Sequence, residues 1–483
     1  MIESPLLNEV KGYIDGGWSA ADSGDTFDVK NPATGELLAS VPSMDRTEVR
    51  RAIKAAQRAQ KQPSTLEQRR DWLAGIAQAL TDERKEIGRI LTMEHGKPWG
   101  EGQGEVDYAA GFFRFCAENI GELGSYALEA RPRNCSWTVH YRPAGVVGLI
   151  TPWNFPIGMI AKKLSAALAA DCASIIKPSS KTPLTMIALF TLMHEHLDLP
   201  PGKVSLVTGR AGPIGDELCE NPAVRMLSFT GSTEVGRELI RKTADQVKKL
   251  ALELGGNAPY LVFADADLDQ AVEQLVTNKF RGGGQTCVCS NRILVERGVA
   301  EVFSTKLGER VGRMRVGNGL EEGVDLGPLI DRSGYEKVRR HLNDALEKGA
   351  KMVAGGDPGE WTEDKGAFFN PTVVRGVMPG MLATQEETFG PLVPIMEFDG
   401  EEEAVSLAND TEYGLAAYVF TADDERAQRV IAALEFGHVG HNTGSGPTPE
   451  APFGGMKQSG YGREGGREGL FEFVEPQTVP RGD

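Results

Sequence analysis

Between Gly145 and Ser232, short apolar runs alternate with helix-length segments, and this alternation restricts the fold more than any other feature of the chain. "GVVGLITPW" reads as a buried strand bounded by glycine, and the helical "PIGMIAKKLSAALAA" follows it. "ASIIKPS" is a second buried strand. The helix "PLTMIALFTLMHEHL" separates it from "KVSLVTG", and "VRMLSFTGS" closes the series. Strands joined by helices of this length form parallel βαβ units. The expected fold class is therefore α/β: an open, doubly wound, Rossmann-type sheet with ligands beyond the carboxyl ends of its strands.

At 483 residues the chain exceeds what one hydrophobic core organises, so two or three domains are expected. Helices are predicted upstream, over residues 47–62 and 66–94. A second alternating series follows "LELGGNAPYLVF", with the helix "LDQAVEQLVTNKF", the strand "RILVERG" and the acidic helix "EEEAVSLAND". No internal repeat or low-complexity linker separates the halves, and the turn at Gly255 and Gly256 is the expected crossing. "CSWTVHYRP" and "LFEFVEPQTV" alternate as strands do and suit pairing with each other in an oligomerisation arm. The expected division is a dinucleotide-binding domain over 1–120 and 142–254 and a catalytic domain over 255–445. Residues 121–141 and 446–483 form the small β arm and C-terminal segment.

A formal net charge of -16 leaves no basic footprint for nucleic acid and disfavours an anionic membrane surface. The N-terminus lacks a basic stretch followed by an apolar one, and no apolar run approaches the roughly 20 residues of a membrane span. Cys116, Cys135, Cys172, Cys219, Cys287 and Cys289 are scattered without metal-site spacing, so no metal is expected. They read as reduced thiols in a cytoplasmic protein. "HEH" at His194 to His196 lacks the i, i+4 pair of a helical zinc site and reads as a solvated helix end.

Several segments carry chemistry. In "SFTGSTEVGREL", Gly231 lets backbone approach a pyrophosphate, Ser232 can hydrogen-bond to it, and the following helix start adds positive potential. The spacing is neither GxGxxG nor a P-loop, and a plain glycine turn is the competing reading. Lys177, ending the strand in "IIKPSSKTP", can hold ribose hydroxyls or phosphate, or be an ordinary exposed lysine. In "FRGGGQTCVCSNR" three glycines place Cys287 at the end of a loop whose amides can favour a thiolate. A small buried hydrophobe is the bland alternative for that cysteine. Asn154 in "TPWNFP" can hydrogen-bond an oxyanion, and Glu253 in "LELGG" supplies a base.

The ordered set "TPWNFP", "KPSSKTP", "FTGSTEVG", "LELGG", "GQTC", "EETFGP" and "PFGGMKQSGYGREG" resembles the aldehyde dehydrogenase superfamily over nearly the whole chain. "GQTCVCSNR" resembles its succinate-semialdehyde dehydrogenase branch. The resemblance implies that Cys287 attacks the aldehyde and that Asn154 and the Cys287 amide hold the oxyanion. Hydride then leaves for a nicotinamide, and Glu253 activates water to hydrolyse the thioester. It implies cofactor contacts at Thr151, Trp153, Lys177, Ser179, Ser180, Lys181, Gly231, Ser232, Gly255, Glu387 and Phe389.

Where many members carry a glutamate three residues after the lysine, this chain has Ser180 followed by Lys181. Loss of a carboxylate and gain of a cation favour a 2′-phosphate, so NADP is expected in preference to NAD. Arg281 matches an arginine that binds the substrate's distal carboxylate, against a helix-end capping role. The branch's second arginine falls at Lys162, and the serine of its late anion-binding loop falls at Pro447, leaving Ser445 or Thr448 as substitutes. The expected substrate is a small anionic aldehyde: succinate semialdehyde, or alternatively glutarate semialdehyde or a sulfonate- or phosphonate-bearing aldehyde. A homodimer or homotetramer is implied. Cys289 reads as a small packing residue, or as the partner of Cys287 in a strained, reducible disulfide. A cysteine hydrolase and an inactive structural relative are the competing readings. No histidine is marked as a partner for the first, and nucleophile, base and oxyanion donor are all present against the second.

Overall fold

The computed structural model describes residues 2–359, 361–362 and 366–482. Five parallel strands form the centre of the first sheet: Val146–Ile150, Ala173–Lys177, Val204–Leu206, Val224–Thr230 and Lys249–Glu253. They lie in the spatial order third, second, first, fourth, fifth. Strand order reverses between Val146–Ile150 and Val224–Thr230, and a crevice opens at the carboxyl ends on either side of such a reversal. Gly12–Ile14 and Gly17–Ser19 extend one edge antiparallel, and Gly460–Tyr461 extends the other.

Helices cover both faces, as a parallel sheet requires. Pro156–Ala169 is buried at every residue because it lies between the sheet and helix Trp99–Asn119. Arg46–Gln60 packs on the same strands and starts at a capping box between Asp45 and Glu48. The single helix expected over 66–94 is two, Leu66–Asp82 and Arg84–His95, broken at Glu83. After the break Ile87, Ile90 and Leu91 pack in the same core as Leu73, Ile76 and Leu80 of the first helix.

Residues 254–257 carry the chain from Glu253, ending one sheet, to Ala258, starting the next. The second sheet has seven strands in the order Lys351–Ala354, Thr372–Arg375, Leu392–Phe398, Ser290–Glu296, Ala258–Val262, Ala416–Phe420, His438–His441. All its pairings are parallel except that of Lys351–Ala354. A third sheet pairs Val474–Arg481 with Ser136–Pro143 antiparallel, and Tyr126–Ala127 adds to the far side of Ser136–Pro143. Ser136–Pro143 thus runs two residues past 141, and the C-terminal segment also lends Gly460–Tyr461 to the first sheet. Among the described residues no helix is long and apolar enough to cross a membrane, and no metal-ligating cluster occurs.

Candidate active site

Helix Leu268–Phe280 ends into Gly282, Gly283 and Gly284, whose φ values are 60°, 72° and 73°. Three successive left-handed residues require glycine, and the resulting loop lifts Cys287 out ahead of strand Ser290–Glu296. Glu101 Oε2 accepts a hydrogen bond from the Gly282 amide at 2.7 Å and ties the loop down. Cys287 is half-buried and stands where two cavities meet. One, of about 280 Å³, is walled by Trp153, Asn154, Gly231, Ser232, Glu387 and Phe389. The other, of about 310 Å³, is walled by Tyr108, Phe155, Lys162, Arg281, Pro447 and Phe453.

Burial pushes the Cys287 thiol up to about 12; Lys162 opposes the shift, while Glu387 and Glu253 add to it. The resting sulfur is therefore a thiol. The thiolate expected from the loop's amides is not met at rest, because desolvation outweighs the pull of Lys162. Cys289 is buried and donates its thiol to the Gly284 carbonyl, and it is a free cysteine like Cys287.

Asn154 follows strand Val146–Ile150 at the switch point. Its Nδ2 donates to the Gln285 carbonyl at 2.9 Å, which turns the amide toward the Cys287 loop and leaves the second N–H of that group for another acceptor. Glu253, the last residue of its strand, lines neither cavity. Both its carboxylate oxygens are buried without hydrogen-bond partners, and Oε1 lies beside Gly454, where a Cβ would come within 2.8 Å. Burial, then Glu464, holds this carboxyl well above the usual range, with Lys162 and Lys163 pulling against them. Glu464 in turn pairs with Lys163 at 2.5 Å and with Lys162 at 3.6 Å.

The cofactor candidates gather around the reversal. Ser232 caps helix Thr233–Thr243 by accepting from the Val235 amide, and a side chain at Gly231 would overlap the Phe229 ring. Lys177 is buried, its ammonium makes no hydrogen bond or ion pair among the described residues, and desolvation pulls it down to about 8. Thr151 Oγ1 is buried and unpartnered as well. Glu387 accepts from the Gly256 amide at 3.3 Å, and burial raises its carboxyl to about 7. The Glu387 carboxylate also lies near Gly255. Phe389 meets Trp153 edge-on at 5.5 Å, with a left-handed φ of 57°. Ser180 and Lys181 line an adjoining groove of about 790 Å³ that shares Lys181, Ile330 and Asp331 with the first cavity, and Lys181 pairs with Asp331 at 2.5 Å. Ser179 Oγ accepts from the Lys181 amide. Orphaned polar groups, a free cation and a capped helix start beside a side-chain-free turn suit the phosphates and hydroxyls of a dinucleotide.

In the second cavity, Arg281 lies 5.2 Å from the Phe155 ring and makes no hydrogen bond or ion pair through its guanidinium among the described residues, so it caps no helix carbonyl. Lys162 lies over the Phe453 ring. Ser445 does not line this cavity: its hydroxyl bonds Thr443, and the loop reaches the wall through Pro447 instead. Thr448 bonds Glu450.

Sequence reasoning passed over Lys97, Glu101, Glu105 and Glu464. Glu105 falls on the buried stripe of Trp99–Asn119 together with Ala109, Phe112 and Cys116, and a carboxylate at a core position was the available signal.

The sequence matches the aldehyde dehydrogenase family over residues 18–479. An oxidoreductase from Marinobacter aquaeolei, known as a crystal structure, is 64% identical and superposes with a TM-score of 0.98, covering 100% of both chains. Glutarate-semialdehyde dehydrogenase of Pseudomonas putida is 45% identical, covering 98% of each chain. Succinate-semialdehyde dehydrogenase [NADP(+)] of Escherichia coli is also 45% identical, covering 96% of each. With matches of this extent and a cysteine at the meeting point of the two cavities, the chain belongs to the aldehyde dehydrogenase family.

Proposed function

We propose that the chain oxidises a short aldehyde bearing a distal anion, succinate semialdehyde before glutarate semialdehyde or a sulfonate or phosphonate analogue, and prefers NADP to NAD. The observation that carries this reading is the uncommitted Arg281 guanidinium on the wall of the cavity that ends at Cys287. An exposed guanidinium on the cavity wall with no internal partner is open to a bidentate contact with a substrate anion. Lys162, already shared with Glu464, adds positive potential without a bidentate fork.

The bound dinucleotide supplies the hydride acceptor. The Cys287 thiol gives its proton to water in the cavity as Sγ bonds to the carbonyl carbon, the carbonyl π pair moves onto oxygen, and the Asn154 amide together with the Cys287 backbone N–H holds the oxyanion. Loss of hydride leaves a thioester on Cys287. Glu253, turned from Gly454 toward the cavity, takes a proton from water as it attacks, and the carboxylic acid and the free thiol are released. The preference for NADP rests on Ser180, which removes a carboxylate from the groove, and on Lys181, whose charge Asp331 shares.

Reduced-nicotinamide absorbance across acidic and neutral aldehydes, with both cofactors, tests the reading. Expected are a higher kcat/KM for succinate semialdehyde than for neutral aldehydes of equal length, and for NADP over NAD. In Arg281→Ala, KM for the anionic aldehyde should rise about ten- to hundredfold, with little change for the neutral one. Equal losses for both, or a preference for NAD, would refute it.

A further inference from the structure

A fully buried ion pair lies beneath the oxyanion turn, and its carboxylate member, Glu105, also reaches the wall of the second cavity. Lys97 Nζ pairs with Glu105 Oε2 at 2.6 Å and donates to the Asn154 backbone carbonyl at 2.8 Å. The same ammonium lies 3.9 Å from the Phe155 ring centroid. Glu105 Oε1 accepts from the amides of Ile157 and Gly158, both at 3.0 Å, in the first turn of helix Pro156–Ala169. The pair therefore grips the turn at two points, the carbonyl of Asn154 itself and the amides of the helix start that follows it. Glu101, one turn earlier on Trp99–Asn119, holds the Gly282 amide of the Cys287 loop. One helix thus carries, at i and i+4, the anchors of both the nucleophile loop and the oxyanion turn.

The support is itself fixed from a third side. The Gly96 and Lys97 carbonyls pack so closely on Gly319 and Gly327 that a side chain at either glycine would collide with them.

We infer that Lys97 and Glu105 are a positioning pair that sets the aim of the Asn154 amide, with Glu101 registering the Cys287 loop to the same helix. A buried ion pair adds little to stability over apolar residues of the same shape, whereas it fixes directions through several hydrogen bonds at once. An oxyanion donor needs such fixing, because a displacement of about 1 Å costs about a hundredfold in rate. The inference rests on the proposed role of Asn154.

The test is a mutant cycle read with a short neutral aldehyde, so that Arg281 is not involved. Lys97→Met/Glu105→Gln removes both charges together and leaves neither stranded. Its kcat should fall about a hundredfold, while KM for the cofactor and the rate of Cys287 alkylation by iodoacetamide stay near wild type. In an Asn154→Ala background the same pair of changes should cost almost nothing further, because residues acting as a unit are not additive. Losses that multiply in both backgrounds, or an unchanged kcat, overturn the inference. If the double variant does not fold, Lys97→Arg keeps the charge but not the geometry. It should then lower kcat about tenfold at unchanged cofactor KM, and parity with wild type overturns the inference equally. If Asn154→Ala itself leaves turnover intact, the oxyanion reading has failed, and the positioning role falls with it.

Discussion

At the residue scale, burial pushes the two reactive groups of the site toward their uncharged forms. Burial raises the Cys287 thiol to about 12 and keeps the Glu253 carboxyl well above its usual range. A raised carboxyl is protonated over the lower part of the pH scale and becomes a base only as pH climbs through its shifted pKa. If Glu253 activates the water, turnover should therefore rise with pH across a limb lying above the ordinary carboxylate range of about 4. Glu253→Gln cannot take that proton. Rapid mixing should show it releasing about one equivalent of reduced cofactor per site in a burst, followed by a steady rate reduced about a hundredfold or more. A variant lacking both burst and turnover would mean that Glu253 is needed before the thioester forms. The sign for stability runs the other way. A carboxyl raised in the folded state binds a proton more tightly than in the unfolded chain, so this group's contribution is present at low pH and lost as pH rises through the folded pKa.

At the scale of elements, the segment from Gly454 to Glu464 decides where Glu253 can stand. Its edge strand Gly460–Tyr461 pairs with Lys249–Glu253, with Gly460 opposite Glu253 itself. That pairing brings Gly454, Arg463 and Glu464 against the carboxylate. A Cβ at Gly454 would lie 2.8 Å from Glu253 Oε1 and 2.6 Å from the Gly462 carbonyl, and the second of these cannot yield as a side chain can. Gly454→Ala should slow steady-state turnover by shifting the Gly462 backbone that the new Cβ meets, and with it the edge strand paired to Glu253; an unchanged steady rate would show that the placement of Glu253 does not depend on this segment. The catalytic loop and the first sheet were legible in the chain because their signals are local. Three glycines can only mean left-handed backbone or close approach, and apolar runs bounded by glycine and proline read as buried strands. The break at Glu83 was not legible, since polar residues there belong equally to a helix surface and to a turn. Nor was the anchoring of Asn154, whose partner Lys97 is 57 residues away and carries no motif of its own. The substitution of Pro447 for Ser445 at the cavity wall depends on how a glycine-rich loop folds back, which composition leaves open.

At the scale of the molecule, the two strands read from their alternation as partners do pair, over eight residues from Val474 opposite Pro143 to Arg481 opposite Ser136. Their boundaries were harder to read, because a strand crosses from one unit to the next without a change in composition. A three-stranded sheet is stable in water only with an apolar face packed against something, and Tyr126, Leu128 and Val479 leave large apolar side chains exposed on and beside this one. Seven of the eight residues of Val474–Arg481 are exposed. Pro476 and Pro480 have no N–H to offer and are tolerated in a strand only where the nitrogen faces away from its partner, so both weaken the outer edge as a donor and guard it against uncontrolled pairing. We propose that a second copy of the chain covers this sheet in a homodimer or homotetramer. Truncation after Phe473 spares the Ala144 amide to the Phe473 carbonyl and the Cys172 thiol to the same oxygen, and it loses the buried Val474 with the Lys249 bond to its carbonyl. It removes all eight partners of Ser136–Pro143 and nothing of either cavity. Light scattering should then find the full chain as a multiple of its 52.1 kDa mass and the truncated chain as monomer or aggregate. An intact assembly after truncation would place the contact between subunits elsewhere on the molecule.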